Sequence, residues 1–373
     1  MIQNEDKIVN IPEVLKKESS SIKNKKITLG FDAFVDHLVK VIHHKDDNGV
    51  VTYFETSLEF GQYILDKGGK NFSFEVEAIA SKIGGNMPIT ANAFAQSIHS
   101  VNCIGPLGFP APDPTFHALS SHCNLYSFGN PGMSKLLEFK TGKIMLAQSG
   151  ELQSITWDEI RETIGKETLR ALFTGTDLVA LLNWGEMDYS TDAWKGLLNE
   201  ILVLPGTGKK SLGFFDLSDC SNRTLDQVRE ALNLVKQFGQ HWNVILSLNI
   251  NEAAIVYQAL TQQSAQDRTA DVMAPVIFEK LGIETVLIHQ AKRSIAVNQN
   301  GMVDRNSFFL EMPFISTGAG DNFNAGFCMG RLMDLDNSAS LVLGNATSAL
   351  YMRSGLSPNL AVIEAFLQGN HPH

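Results

Sequence analysis

The sequence predicts a three-layer α/β/α sandwich with a mainly parallel central sheet and a small β lid. Three observations lead there: strand-length runs apolar on both faces, helical stretches alternating with them, and two segments that break the alternation. The runs are KITLGF (26–31), VNCIGPLG (101–108), DLVALLNW (177–184), SLGFFDL (211–217), NVILSLN (243–249) and TVLIH (285–289). A strand apolar on both faces must be covered on both sides, which is the situation of a parallel sheet between helix layers.

The helical stretches carry their own start signals. TLDQVREALNLVKQFG places Leu225, Val228, Leu232 and Val235 on one face, and Thr224 with Gln227 forms a capping-box pattern. Thr156 and Glu159 repeat that pattern before WDEIRETIGKETLRAL, and Ser357-Pro358 reads as a helix start with proline in the first turn. Alternation of this kind argues for helices on both faces of the sheet. The two exceptions are residues 33–60, with DHLVKVI and VVTYFETS around KDDNG, and residues 125–148, with LYSFGNPG and KLLEFKTGKIMLA. Turn chemistry at Asn48-Gly49 and Thr141-Gly142 makes them hairpin-like, and a flap over one edge of the main domain is their natural home. No internal repeat or low-complexity linker divides residues 1–373, which read as one domain.

Composition narrows the function. Hydrophobic residues are 44% and charged residues 19% of the 373, enough for a large core. Thirty Lys and Arg against 40 Asp and Glu leave a formal charge of -10, so nucleic acid is a poor partner. KNKK (23–26) reads as a solubilising approach to a strand. Cys103, Cys123, Cys220 and Cys328 are scattered with no CxxC pair, which suits reduced thiols of a cytoplasmic protein. The N-terminal stretch lacks the apolar run of a signal peptide, and no window of 18 apolar residues predicts a membrane span.

The chemistry concentrates in ISTGAGDNFNAG (315–326), a loop running into an apolar helix. Gly318, Ala319 and Gly320 present amide N–H groups with little side chain in the way, at the positive end of a helix dipole, and so form an anion site. Fixed donors favour an anion that gains charge during reaction, such as a phosphoryl group in transfer. Asp321 beside them can accept the proton of an attacking hydroxyl. The residues alone leave a second reading open, with Asp321 as an N-cap and the glycines as turn residues.

Read with the rest of the chain, TGAGDNFNAG resembles the signature of the ribokinase-like (PfkB) carbohydrate kinases, whose usual form is TGAGDTF. FVDHLVKV (34–41) is similar to the family's first-strand segment, which makes Asp36 the implied holder of the sugar, with Asp32 a rival. SKIGGNMPITANAFAQ (81–96) resembles the glycine-pair motif, here Gly84 and Gly85, that opens a helix under the substrate. Asn249-x-x-Glu252 matches the pattern near magnesium and the phosphates, and its spacing suits a metal held through water; a capping pair is the alternative. GNATSALYMRSG (344–355), with Asn345, resembles the small-residue helix beside the adenine, and Glu186 in NWGEMD falls where relatives place a residue near the sugar. The resemblance runs in order from about residue 26 to 368 and puts the two odd β segments where the family carries its lid.

The chain also departs from that pattern. Ile315-Ser316-Thr317 replaces Asp-Thr-Thr and lacks the aspartate tied to a monovalent-cation site; Thr317 itself keeps its place beside the nucleotide. Asn322 replaces threonine after the aspartate. His289-Gln290-Ala291 replaces the Thr-x-Gly that meets the nucleotide phosphates, so His289 and Ala291 stand at those positions. Ile89 occupies an asparagine position that Asn86 or Asn92 could supply.

Other apparent motifs fail on their spacing. PGTGKKS (205–211) has Val203 where a P-loop needs its first glycine and precedes a strand. His37, His43 and His44 make no metal spacing, and Phe308 and Phe309 read as core. The resemblance implies a magnesium-dependent kinase that moves a phosphoryl group from a nucleotide, with ATP as co-substrate, to a hydroxyl of a sugar or related alcohol. A non-catalytic sugar- or nucleotide-binding protein on the same fold, or an ADP-dependent kinase, are the alternatives. An exposed lid strand could pair with a second copy as a homodimer.

Overall fold

A computed structural model describes residues 10–148, 150–203 and 210–369. In chain order the strands are β1 (Lys26–Gly30), β2 (Phe34–Lys45), β3 (Val51–Tyr53), β4 (Val76–Gly84), β5 (Ser100–Gly105), β6 (Cys123–Ser127), β7 (Gly132–Phe139), β8 (Gly142–Gln148), β9 (Leu178–Leu182), β10 (Leu212–Asp216), β11 (Asn243–Asn249), β12 (Thr285–His289), β13 (Arg293–Asn298) and β14 (Gly301–Asn306). The central sheet runs β14-β13-β12-β11-β10-β9-β1-β5-β6. The six apolar runs are its contiguous parallel middle, β12 to β5, and the β13–β14 hairpin closes one edge antiparallel.

Burial on both faces shows residue by residue. Phe214 and Phe215 of β10 are both buried and enter different cores, as alternation along a strand requires. One core holds Trp157, Trp184, Trp194, Phe215 and Phe238. The other holds Phe94, Phe116, Phe214, Phe327 and Leu341. Both expected capping boxes form: Thr156 accepts from the Glu159 amide at 3.3 Å and Thr224 from the Gln227 amide at 3.2 Å, with the return bonds present.

A second sheet forms the lid. The 12-residue β2 leaves the end of β1 and pairs antiparallel with β4, parallel with β7 and, at its far end, with β3; β8 completes the layer as a hairpin partner of β7. Val39, Val41, Phe54, Phe60 and Leu137 make its small core.

Several expectations need correction. The LYS of LYSFGNPG belongs to β6, which pairs parallel with β5 in the central sheet, not to the lid. As an edge strand it is only half-buried, and that gives it the amphipathic look of a hairpin strand. Strand β4 is a lid strand with no counterpart among the expected elements, because most of its side chains are exposed and show no apolar alternation. VVTYFETS is strand only to Tyr53; Thr56 then caps a helix, Ser57–Asp66, by accepting from the Glu59 amide at 3.0 Å. Thr56-x-x-Glu59 was a readable start signal. The last helix, Leu360–Leu367, is capped by Asn359, whose Oδ1 accepts from Val362 at 3.0 Å, so Pro358 precedes the cap. The first five residues of PGTGKKS lie outside the described residues. Phe308 packs on Phe366 with ring centroids 4.9 Å apart, as expected of core, whereas Phe309 is half exposed under the Lys292 ammonium.

Two helices, Ala319–Leu332 and Asn337–Ser354, pack closely enough to fix the start of the first. A Cβ at Gly326 would collide with Thr347 Oγ1 and come within 2.9 Å of the Gly344 Cα. Gly326→Val should therefore destabilise the fold by about 1–3 kcal/mol or more, read as a lower melting temperature.

Candidate active site

The helix Ala319–Leu332 starts at Gly318, whose φ of +86° is open chiefly to glycine. Space also demands glycine there, since a Cβ would sit 2.8 Å from Tyr351 Oη and 3.2 Å from Ile89 Cγ2. Tyr351 Oη donates to the Thr317 carbonyl at 3.0 Å and pins the loop. The Ala319 amide donates to the Ser316 carbonyl at 3.1 Å, so of the three expected anion donors it is the one already engaged. The amides of Gly318 and Gly320 meet no acceptor among the described residues.

Asp321 is the third residue of the helix and does not cap it. Its Oδ1 accepts from Asn86 Nδ2 at 3.0 Å and from Thr90 Oγ1 at 3.2 Å. Both donors come from the helix Asn86–Ala95, which opens at the glycine pair. Oδ2 has no donor among the described residues and is the oxygen left for another group. Burial pushes the carboxyl pKa well above its ordinary value; Asp216 and Asp32 push the same way, and Asn86 and Thr90 oppose them.

The glycine pair makes room for two carboxylates. A Cβ at Gly84 would collide with Asp36 Oδ1, and one at Gly85 would lie 2.7 Å from Asp32 Oδ2. Asp32 accepts from the Asn86 and Met87 amides at 2.7 and 2.8 Å, so it closes the open end of the Asn86–Ala95 helix from a neighbouring segment. Burial raises its pKa to about 6 against those bonds. Asp36 lies on β2 between Lys82 and Ser134 in register, and burial raises its pKa while Ser134 opposes.

Asn249 and Glu252 form the alternative weighed for them, a complete capping box. Asn249 Oδ1 accepts from the Glu252 amide at 3.0 Å and Glu252 Oε2 from the Asn249 amide at 2.8 Å. They also face the cavity. Burial, followed by repulsion from Asp216, raises Glu252 to about 8. Asp216 ends β10, with its Oδ2 accepting from Asn324 Nδ2 at 2.6 Å and its Oδ1 from the Ser218 amide at 2.8 Å.

A cavity of about 270 Å³ gathers these groups: Gly320 and Asp321, Asn86, Glu186, Asn249 with Glu252, His289, and the Asp216–Asp219 turn. It opens at the carboxyl ends of the parallel strands, where ligands of such sheets bind. The His289 ring lies tilted at 37° against Phe323 with centroids 5.2 Å apart, and burial lowers its pKa to about 4, which favours the neutral imidazole. Asp216, Ser218 and Asp219 were missed, although an aspartate ending an apolar strand run was the available signal. Of the other expected residues, Gly84, Gly85, Asp32 and Asp36 do not line this cavity; Asp32 is joined to it through the Asn86 amide. Thr317 and Ala291 are exposed on loops. Asn345 is buried, donating to Ser294 Oγ at 2.9 Å and the Asn306 carbonyl at 3.3 Å, and it does not line the cavity.

A family model described as prokaryotic ketohexokinase matches residues 5–370. The chain belongs to the prokaryotic ketohexokinase family. A ketohexokinase of Haloferax volcanii is 26% identical over 346 residues, covering 92% of this chain and 91% of that protein. Among solved structures, a putative ribokinase II of E. coli in complex with ATP and Mg²⁺ shares the fold at 15% identity and TM-score 0.63, over 93% of this chain and 99% of that one. Adenosine kinase of Sinorhizobium meliloti does so at 16% identity and TM-score 0.63, over 94% and 100%. Membership makes the protein a PfkB-type carbohydrate kinase, as the TGAGD stretch implied. For a chain of this family the cavity has a telling charge balance. Glu186, Asp216, Asp219, Glu252 and Asp321 meet no Lys or Arg within ion-pair distance among the described residues. No helix among the described residues is long and apolar enough to cross a membrane.

Carboxyls with raised native pKa values bind more protons folded than unfolded. Stability therefore falls as pH rises from the unfolded value near 4 through the folded ones, about 6 for Asp32 and about 8 for Glu252. The melting temperature of the ligand-free protein should decline from pH 5 to pH 8, and Glu252→Gln should flatten the upper part of that decline.

Proposed function

We propose that the chain phosphorylates a ketohexose, transferring the γ-phosphoryl group of ATP to a sugar hydroxyl with Asp321 as the base. The observation that carries this reading is the split environment of Asp321: Oδ1 is held by Asn86 and Thr90, and Oδ2 is left free beside a cavity. A carboxylate fixed by one oxygen presents the other in a set direction, which suits removal of a proton from a positioned hydroxyl. The name of the family and of the Haloferax volcanii relative supports a ketohexose as acceptor. The E. coli structure in complex with ATP and Mg²⁺ supports the donor and the metal.

The residues divide by side. Asp36 and Glu186, with Gly84 and Gly85, form the acceptor side, where the short Asp36 carboxylate can take two sugar hydroxyls at once; its rival Asp32 is fully buried with both oxygens engaged by Asn86, Met87 and Asn183. Gly318 and Gly320, at the positive end of the helix, favour the charge that builds on a transferring phosphoryl group. His289, neutral and lying over Gly320, stands where relatives have threonine and can donate one N–H to a phosphate oxygen.

The carboxylates of Glu252, Asp216 and Asp219 beside Asn249 offer oxygen ligands, which fit Mg²⁺ held through water and substrate phosphates. When bound, the ion supplies charge neutralisation to the phosphates.

The deciding assay measures phosphorylation of a panel of ketoses, aldoses and nucleosides with ATP and with ADP in parallel. Fructose-type ketohexoses with ATP should give the highest kcat/KM; sugar binding without turnover in any arm would discard the kinase reading. Asp321→Asn should lower kcat by about 10²–10⁴ with little change in sugar KM. Because the base works ionised and its pKa is raised, kcat/KM should fall on the acid side at a pH above the usual carboxylate range. Asp216→Asn removes a repelling charge and should move that acid limb to lower pH.

A further inference from the structure

Asn183 follows directly on β9 and combines three features that are each unfavourable for an ordinary core residue. Its side chain is fully buried. Its φ is +56°, in the left-handed region. Its Oδ1 is buried with no hydrogen-bond partner among the described residues. Glycine would remove both the strain and the orphaned oxygen. The compensation lies at the other end of the amide. Nδ2 donates to Asp32 Oδ2 at 3.0 Å and to Glu186 Oε2 at 2.9 Å, using both of its hydrogens on carboxylates. The backbone is fixed as well, since the Asn183 amide donates to the Asp216 carbonyl at 3.0 Å and extends the β9–β10 pairing by one step. Glu186 lines the cavity, and Asn183 is its one side-chain donor among the described residues.

We propose that Asn183 is a positioning residue that aims Glu186 at the acceptor by sharing one amide group between Glu186 and Asp32. Strain and an unpaired acceptor at a buried position are what remains when a residue is kept for what it holds, not for how it packs. The bridge also reaches the base. Asp32 closes the helix that begins at Asn86, and Asn86 Nδ2 donates to Asp321. One hydrogen-bonded series thus runs from Glu186 through Asn183, Asp32 and Asn86 to Asp321, joining the acceptor end of the cavity to its catalytic end. This inference rests on the kinase reading for the identity of the acceptor.

The test is a double-mutant cycle on the full chain with Asn183→Gly and Glu186→Ala. Asn183→Gly keeps the left-handed backbone and relieves its strain and the orphaned oxygen while removing both donors, so the two effects oppose and the melting temperature should change by only a few degrees. Its sugar KM should rise by about tenfold, the order of one hydrogen bond to a charged group, while the nucleotide KM stays within about twofold. In the Glu186→Ala background the same change should have no further effect on sugar KM, because Asn183 acts through Glu186. Asn183→Asp, the same shape without the amide donors, should reproduce the sugar defect. An unchanged sugar KM in Asn183→Gly, or a defect that adds in full to that of Glu186→Ala, overturns the assignment while leaving the kinase reading intact. If the wild type phosphorylates no sugar, the kinase reading fails, and the same cycle is scored on sugar dissociation constants by calorimetry. Coupled losses there keep the positioning role; additive losses, or no sugar binding by the wild type, end it.

Discussion

Two helix N-termini meet at one buried carboxylate, and much of the molecule is arranged around that meeting. Asp321 belongs to the first turn of the Ala319–Leu332 helix, yet the donors that hold it, Asn86 and Thr90, come from the first turns of another helix. The contact requires the helices to approach closely, so Gly318 stands where a side chain would strike Ile89 and Tyr351. It also requires the second helix to be closed by something other than its own cap. Asp32 does this from the segment after β1, and Gly85 supplies the room.

The cost of this arrangement is electrostatic. Asp32, Asp216, Glu252 and Asp321 are all buried, and each has its pKa raised chiefly by loss of water. Their mutual repulsion adds to the desolvation. Backbone amides, Asn86, Asn183 and Asn324 offset part of it with neutral donors; the raised pKa values keep protons on these groups, and a cation or a cation-bearing ligand entering the cavity would favour their ionised form. Neutral donors also leave the carboxylates basic, which a neighbouring arginine would not.

Most of the fold could be read from the chain because the parallel strands are buried on both sides and therefore spell continuous apolar runs. The errors fell where burial is partial. Strand β6 at the sheet edge looks like a hairpin strand, and β4 in the lid shows no apolar alternation because its side chains face water. At the site, the TGAGD stretch, the glycine pair and Asn249-x-x-Glu252 were visible as local patterns, and five of the expected side chains or backbones line one cavity with Asp321. Asn183 and Asp219 had no local signature, and Asp216 had only its place at the end of an apolar run. What distinguishes Asn183 and Asp216 is the left-handed backbone of the one and the bond from its amide to the carbonyl of the other, and that bond exists only once β9 and β10 lie side by side. Asn345 shows the reverse case: the resemblance placed it at the nucleotide, and its side chain is spent on Ser294 and Asn306.

The join between the lid and the main domain is short at both ends. Strand β2 begins four residues after β1 stops, and β4 ends at Gly84, with only Gly85 before the helix that carries Asn86 and Thr90. At these two joins, those of β2 and β4, there is no slack linker. Strand β4 thus runs through two glycines straight into the first turn of the helix that grips Asp321, and a displacement of that strand would be felt at the carboxylate without an intervening loop.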